Sequence, residues 1–157
     1  MSIEDEVSVM RRIPLFAHIN PQKLKLLAFT SERILFEAGQ TVFRQGDEGD
    51  AAYVIIEGEA DVLVETPKGP IAVARMERNA IVGEVAILCD VPRTATIKAI
   101  SRLDTLRITK AQFLELLTEY PELSIEIMKI LAQRLAKTSL ELSDARSRLR
   151  ALGAPPG

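Results

Sequence analysis

Between Ile34 and about Ile108 the chain is cut into short runs rich in Val, Ile and Thr, each closed by a turn signal. The stretch ILFEAGQTVFRQGDEGDAAYVIIEGEADVLVETPKGPIAVARM holds five apolar pieces, separated by Ala38-Gly39, Gly46 to Asp50, Glu57-Gly58 and Pro67 to Pro70. Runs of this length and composition predict strands. Punctuation this regular leaves no room for the crossover helices of a parallel sheet, so the strands are expected to form an antiparallel barrel or sandwich.

Helices are predicted on both sides of this block. Ser2 to Met10 and Pro21 to Phe29 read as short helices, the second with Asn20 as N-cap and Pro21 at its first helical position. Thr109 caps a further helix over KAQFLELLTEY, and Pro121 starts a long one that runs to about Leu152, where Gly153 and Pro155-Pro156 end it. The order of helices, strands and helices defines an α+β class. The chain divides into residues 1–120, the strand block with its flanking helices; residues 121–152, the long helix; and a tail, residues 153–157.

The long helix carries a second pattern. Met128, Leu131, Leu135, Thr138, Leu142, Ala145, Leu149 and Leu152 recur at alternating steps of three and four, an unbroken a/d seam. Leu123, Ile127, Ile130 and again Leu131 are left to pack on the strand block. A helix of this length spans roughly 45 Å at about 1.5 Å per residue, more than the remaining surface of one domain can cover. We therefore expect it to project and pair with a second copy in a homodimer; the alternative is an amphipathic helix lying along its own domain.

Composition narrows the partners. The 157 residues carry 20 basic and 22 acidic side chains, a net charge of −2 that predicts neither a nucleic-acid nor an anionic-membrane partner. A single cysteine, Cys89, excludes an internal disulfide and any multi-cysteine metal site. His18 is the only histidine, so metal and histidine-based catalytic sites are not expected. QGDEGD does not have the spacing of a calcium loop and reads as a turn. The start, MSIEDEVSVMRRIPLF, lacks the pattern of a signal peptide, and no apolar run is long enough for a membrane span, so a cytoplasmic protein is expected.

One segment stands apart. GEVAILCDVPRTATIKA, Gly83 to Ala99, sets Glu84 and Arg93 among Val, Ala, Ile, Leu and Thr. Charged side chains sink among apolar ones only with partners. Either the two neutralise each other as a structural salt bridge, or they await a ligand with polar and anionic groups. Gly83 permits a positive φ, and EVAIL is long enough for a helical turn whose N–H groups point back toward it. Helix N–H groups and a guanidinium suit a phosphate, while a carboxylate suits sugar hydroxyls, and the combination suggests a nucleotide.

These residues also carry a resemblance. VFRQGDEGDAAYVIIEGEADV, GEVAIL, PRTATIKA and the helical LAQRL resemble the cyclic-nucleotide-binding domains of catabolite activator proteins, protein kinase regulatory subunits and cyclic-nucleotide-gated channels, from about Pro14 to Ser143. The resemblance implies an eight-stranded antiparallel jelly-roll β-barrel flanked by N-terminal helices and a long C-terminal helix. It implies that Glu84 and the Gly83 backbone hold the ribose 2′-hydroxyl, and that Arg93 holds the cyclic phosphate with help from backbone N–H groups of Ala86 and Thr94. Val62 and Val73 would line the base. RLAKTS, Arg134 to Ser139, resembles the segment in which catabolite activator proteins set a Thr-Ser pair against the adenine, so Thr138 and Ser139 would cap the base and Arg134 would reach Glu84 or the ligand.

Two signals bear on the base. A Thr after the phosphate arginine, here Thr94, favours cyclic GMP in some family members, whereas Thr138 and Ser139 favour cyclic AMP. Thr138 occupies a seam position where a polar side chain needs a partner, which a base would supply; otherwise it sets the register of the pair. The expectation is a non-enzymatic sensor, binding cyclic AMP without a further cofactor and shifting a dimeric helix arrangement. The rival readings are a cyclic GMP sensor and a ligand-free dimerisation module. Only RALGAPPG follows Arg148-Leu149 where catabolite activators continue into a helix-turn-helix, so a stand-alone sensor or the sensor piece of a larger protein is expected, without a DNA-binding domain.

Overall fold

A computed structural model describes residues 3–153. The elements run α1 (Ile3–Arg11), a short 3₁₀ turn (Pro14–Phe16), α2 (Pro21–Thr30), β1 (Glu32–Phe36), β2 (Thr41–Phe43), β3 (Ala51–Glu57), β4 (Ala60–Thr66), β5 (Gly69–Met76), β6 (Ile81–Val82), α3 (Glu84–Cys89), β7 (Thr96–Ala99), β8 (Leu103–Thr109), α4 (Lys110–Glu119) and α5 (Pro121–Ala151). The predicted α+β order and the helices are present. Ser2, proposed as the first helical residue, and the Pro155-Pro156 stop lie outside the described residues.

The local signals act as expected. Asn20 Oδ1 accepts from the Lys23 N–H at 2.8 Å ahead of Pro21. Thr109 and Gln112 form a reciprocal capping box at the start of α4. All strand pairs are antiparallel, and β1 pairs with β8, β2 with β7, β3 with β6 and β4 with β5, the nested pattern of a jelly roll. The eight strands form two four-stranded sheets, β1-β8-β3-β6 and β2-β7-β4-β5, rather than one continuous hydrogen-bonded ring.

Burial follows from this layering. Strand β3 is buried on both faces: Ala51, Tyr53 and Ile55 lie between the sheets with Ile97 and Leu103, while Ala52 and Val54 meet the helices. That is why AAYVII reads as an uninterrupted apolar run instead of alternating. The helical layer on the outer face of the first sheet is built by Met10, Leu24, Phe113, Leu116, Leu123 and Ile127. Arg33 of β1 fastens α1 to the sheet, donating to both Glu6 oxygens at 2.9 Å and to Asp104 at 2.5 Å. The second sheet turns its outer face to solvent, and β5 is mostly exposed.

The long helix is divided as the two apolar patterns predict. Leu123 and Ile127 are buried, and Ile130 and Leu131 are partly buried against the same cluster. From residue 135 to residue 153 every position is exposed, and the seam residues Leu135 and Leu142 are 68% and 52% exposed in the single chain. From residue 135 to the helix end at Ala151, about 26 Å of helix is thus exposed at about 1.5 Å per residue. No helix among the described residues is long and apolar enough to cross a membrane.

Ile55, fully buried between the sheets, gives the fold a direct test. Ile55→Ala is expected to lower unfolding free energy by about 2–5 kcal/mol in denaturant titrations, since it opens a cavity where both sheets meet.

Candidate functional site

The segment from Gly83 to Thr94 folds as a compact cassette between β6 and β7. Gly83 adopts φ +87° and opens α3, and Asp90 closes it with φ +53°. Glycine is required at the opening for two reasons: the left-handed conformation, and the place of its missing Cβ, which would stand 2.5 Å from Arg93 Nη1 and 3.1 Å from the Ala51 carbonyl oxygen. The turn between β2 and β3 braces the other end. Gly46 N–H donates to the Arg93 carbonyl and Arg93 N–H to the Asp47 carbonyl, both at 2.8 Å. QGDEGD is therefore a turn, as its spacing indicates, and one that holds the backbone of Arg93.

Glu84 and Arg93 are both buried, at 2% and 3% exposure, and they form no ion pair with each other. The structural salt bridge between them is not present. Arg93 Nη1 donates to the Gly83 carbonyl at 2.9 Å and Nη2 to the Ala51 carbonyl at 2.7 Å. Its guanidinium carbon lies 4.0 Å from the centre of the Phe43 ring, a desolvated cation–π contact. Asp50 Oδ1 stands 3.5 Å from Nη2, and Arg93 Nε is buried with no hydrogen-bond partner. Burial pulls the guanidinium below its usual pKa, while Asp50 works in the other direction.

Glu84 is met from the long helix. Arg134, 50 residues along the chain, donates from Nη1 to Glu84 Oε1 at 2.6 Å, and from Nη2 to the Ile81 carbonyl at 2.7 Å. Burial raises the Glu84 carboxyl above its ordinary 4.5, with Arg134 opposing the shift. Between these two charged centres opens a cavity of about 160 Å³. Gly83, Glu84, Ala86, Arg93, Thr94 and Arg134 line its polar side, and Phe43, Val62, Met76 and Ile97 its apolar side.

A family profile described as "Cyclic nucleotide-binding domain" matches residues 33–120, more than half of the chain and the whole of this cavity except Arg134. The chain belongs to the cyclic nucleotide-binding domain family. Among its relatives, the lysophospholipase nte1 of Aspergillus fumigatus is 32% identical over 118 residues, covering 74% of this chain and 8% of that protein. The cAMP-dependent protein kinase regulatory subunit of Mucor circinelloides f. lusitanicus is 43% identical over 91 residues, covering 58% of this chain and 21% of the subunit. Of the solved structures, the cAMP-binding acyltransferase from Mycobacterium smegmatis superposes with a TM-score of 0.75 at 29% identity, covering 86% of this chain and 42% of that one. The Thermus thermophilus catabolite activator protein gives 0.71 at 27% identity, covering 83% and 62%.

Within this cyclic nucleotide-binding domain the expected site residues fall into three groups. Gly83, Glu84, Ala86, Arg93, Thr94, Val62 and Arg134 converge on the cavity. Val73 does not: it is 47% exposed on β5, and Met76, three residues further along and so on the opposite face, lines the cavity from that strand instead. Val62 pairs with Ala74 and Ala60 with Met76, so Ala74 and Met76 share the inner face and Val73 the outer one; a register one residue off would have turned Val73 inward. Thr138 and Ser139 lie on the exposed length of α5, away from the cavity lining of their own chain. Phe43 and Asp50 were not singled out from the sequence, since a ring under a guanidinium and an acid beside it leave no spacing signature.

The raised carboxyl of Glu84 gives a pH test. Its folded pKa lies above its unfolded one, so folding takes up a proton between the two. The stability of the wild type relative to Glu84→Gln is expected to fall as pH rises from about 4.5 through the raised value, and to level off above it. Denaturant titrations across that window check the sign; a rising difference would mean that Arg134, not burial, governs this carboxyl.

Proposed function

We propose that this domain is a non-enzymatic sensor that binds cyclic AMP and passes the binding event to a pair of C-terminal helices. The observation that carries the reading is the buried Arg93, which lines the cavity: its two terminal nitrogens are held by carbonyls, its face rests on Phe43, and its Nε–H is buried without a partner. A buried, unpaired donor on a charged group is costly unless something supplies an acceptor. A cyclic phosphodiester brings one negative charge and several acceptors, which a guanidinium meets well.

In this reading Arg93 takes the phosphate, with backbone N–H groups of Ala86 and Thr94, and Glu84 with the Gly83 backbone takes the ribose hydroxyl. Val62, Met76 and Ile97 supply an apolar wall beside them. At about 160 Å³ the cavity is smaller than the roughly 300 Å³ at the low end of small-molecule sites. A nucleotide would therefore project from it, and its base would need cover from outside. Thr138 and Ser139 suit that cover when they come from α5 of a second copy, which is the geometry a homodimer through the heptad seam provides.

The Glu84–Arg134 ion pair links this site to α5 within one chain. A ligand hydroxyl that engages the Glu84 carboxylate changes what Arg134 meets, so ligand and helix position are coupled and binding shifts the helix arrangement. The cyclic AMP assignment is supported by the resemblance of RLAKTS and by relatives whose names identify them as cAMP-dependent or cAMP-binding. Thr94 at the cavity keeps cyclic GMP as the competing base.

Calorimetric titration is expected to give micromolar or tighter binding of cyclic AMP, weaker binding of cyclic GMP, and loss of both in Arg93→Leu. Removing the cation from a desolvated pair costs about 3–5 kcal/mol, or several hundredfold in affinity. No heat with either nucleotide would overturn the reading, and tighter cyclic GMP would reassign the base. For the pair of helices, Leu142→Asp is expected to convert dimers to monomers in sedimentation velocity. A wild type that stays monomeric at high concentration overturns the dimer.

A further inference from the structure

Asp50 stands between two guanidinium groups. It directly precedes β3, and its side chain is 65% exposed at the end of the sandwich. Oδ1 is 3.5 Å from Arg93 Nη2, whereas Oδ2 accepts from Arg107 Nη2 at 3.1 Å. Charged hydrogen bonds ordinarily close to about 2.7–2.9 Å, so the acid sits nearer to a bond with Arg107 than with Arg93. Arg107 belongs to β8, opposite Tyr53 of β3 and Glu32 of β1, and its side chain is only 23% exposed. Neither the sequence reading nor the cavity lining includes it.

We propose that Arg107 is a positioning residue for anion capture: it draws the Asp50 carboxylate away from Arg93, so that Arg93 meets an incoming phosphate rather than a neighbouring acid. The inference rests on reading the cavity as a cyclic-nucleotide site. A carboxylate beside the receptor cation acts twice against an anionic ligand, drawing the same guanidinium toward itself through Nη2 and repelling the ligand's charge. A second cation offsets both effects while leaving the carbonyls of Gly83 and Ala51 to hold the Arg93 guanidinium in place. Because Asp50 is largely solvated, water and salt screen part of this influence, and the expected effect on affinity is about tenfold rather than the several hundredfold of Arg93 itself.

A direct attraction between Arg107 and the phosphate would also weaken binding when Arg107 is removed, and a double-mutant cycle separates the two. Wild type, Arg107→Gln, Asp50→Asn and the double variant are titrated by calorimetry with cyclic AMP, or with cyclic GMP if that binds more tightly, and thermal melts confirm that each is folded. The expected result is about tenfold weaker binding by Arg107→Gln, binding by Asp50→Asn at least as tight as wild type, and a double variant that matches Asp50→Asn. Three results overturn the proposal: unchanged affinity in Arg107→Gln, the same tenfold loss in the Asp50→Asn background, or weaker binding by Asp50→Asn alone. Should Arg107→Gln fail to fold, Arg107→Lys, which keeps the charge but not the fork, is expected to lose about threefold, again only while Asp50 is present. A wild type that binds neither nucleotide defeats the nucleotide reading and this inference together; binding without the Asp50–Arg107 coupling defeats this inference alone.

Discussion

The guanidinium of Arg93, buried and clamped by the carbonyls of Gly83 and Ala51 over the ring of Phe43, ties together parts of the chain that are otherwise distant. Each contact makes a demand on another element. Gly83 must lack a Cβ so that Nη1 can approach its carbonyl, and the start of β3 must present the Ala51 carbonyl toward the cassette. β2 must place an aromatic ring beneath the charge, and the turn before β3 must grip the backbone on either side. Strands from both sheets therefore contribute to one cation, which explains why a charged group is tolerated at the end of an apolar sandwich.

A second charged contact gives the site its direction. Glu84 is buried with Arg93 but is answered by Arg134 from α5, so the two charges that look like a pair in the sequence are held by different partners. One contact anchors the cassette to the sheets, and the other attaches the long helix to the cassette. Beyond Arg134 every described residue of the helix is exposed, its leucines included. The Glu84 side of the cavity and the start of the exposed helix thus share one ion pair.

Much of this is legible in the residues alone. Strand lengths and turn punctuation are local, and Asn20, Thr109 and Gln112 act within one helical turn, so the α+β order and the helix starts could be read directly. GEVAIL and PRTATIKA are contiguous, which is why Gly83, Glu84, Ala86, Arg93 and Thr94 could be named as one site and do line one cavity. Val73 shows where this kind of reading ends. With Val62 opposite Ala74 and Ala60 opposite Met76, Val73 faces outward and Met76 reaches the cavity, a choice made by hydrogen-bond registry between strands.

The sequence by itself determined the class of fold, the cassette and the division of the long helix into a docked and an exposed part, because each depends on short-range spacing and on the period of apolar residues. Only the tertiary structure decided how the charges are shared: Glu84 with Arg134, Arg93 with two carbonyls and Phe43, and Asp50 between Arg93 and Arg107. Electrostatic partnership acts through space over a few ångströms, and the jelly roll brings residues from β2, β3, β8 and α5 within that range without leaving any regular interval between them in the chain.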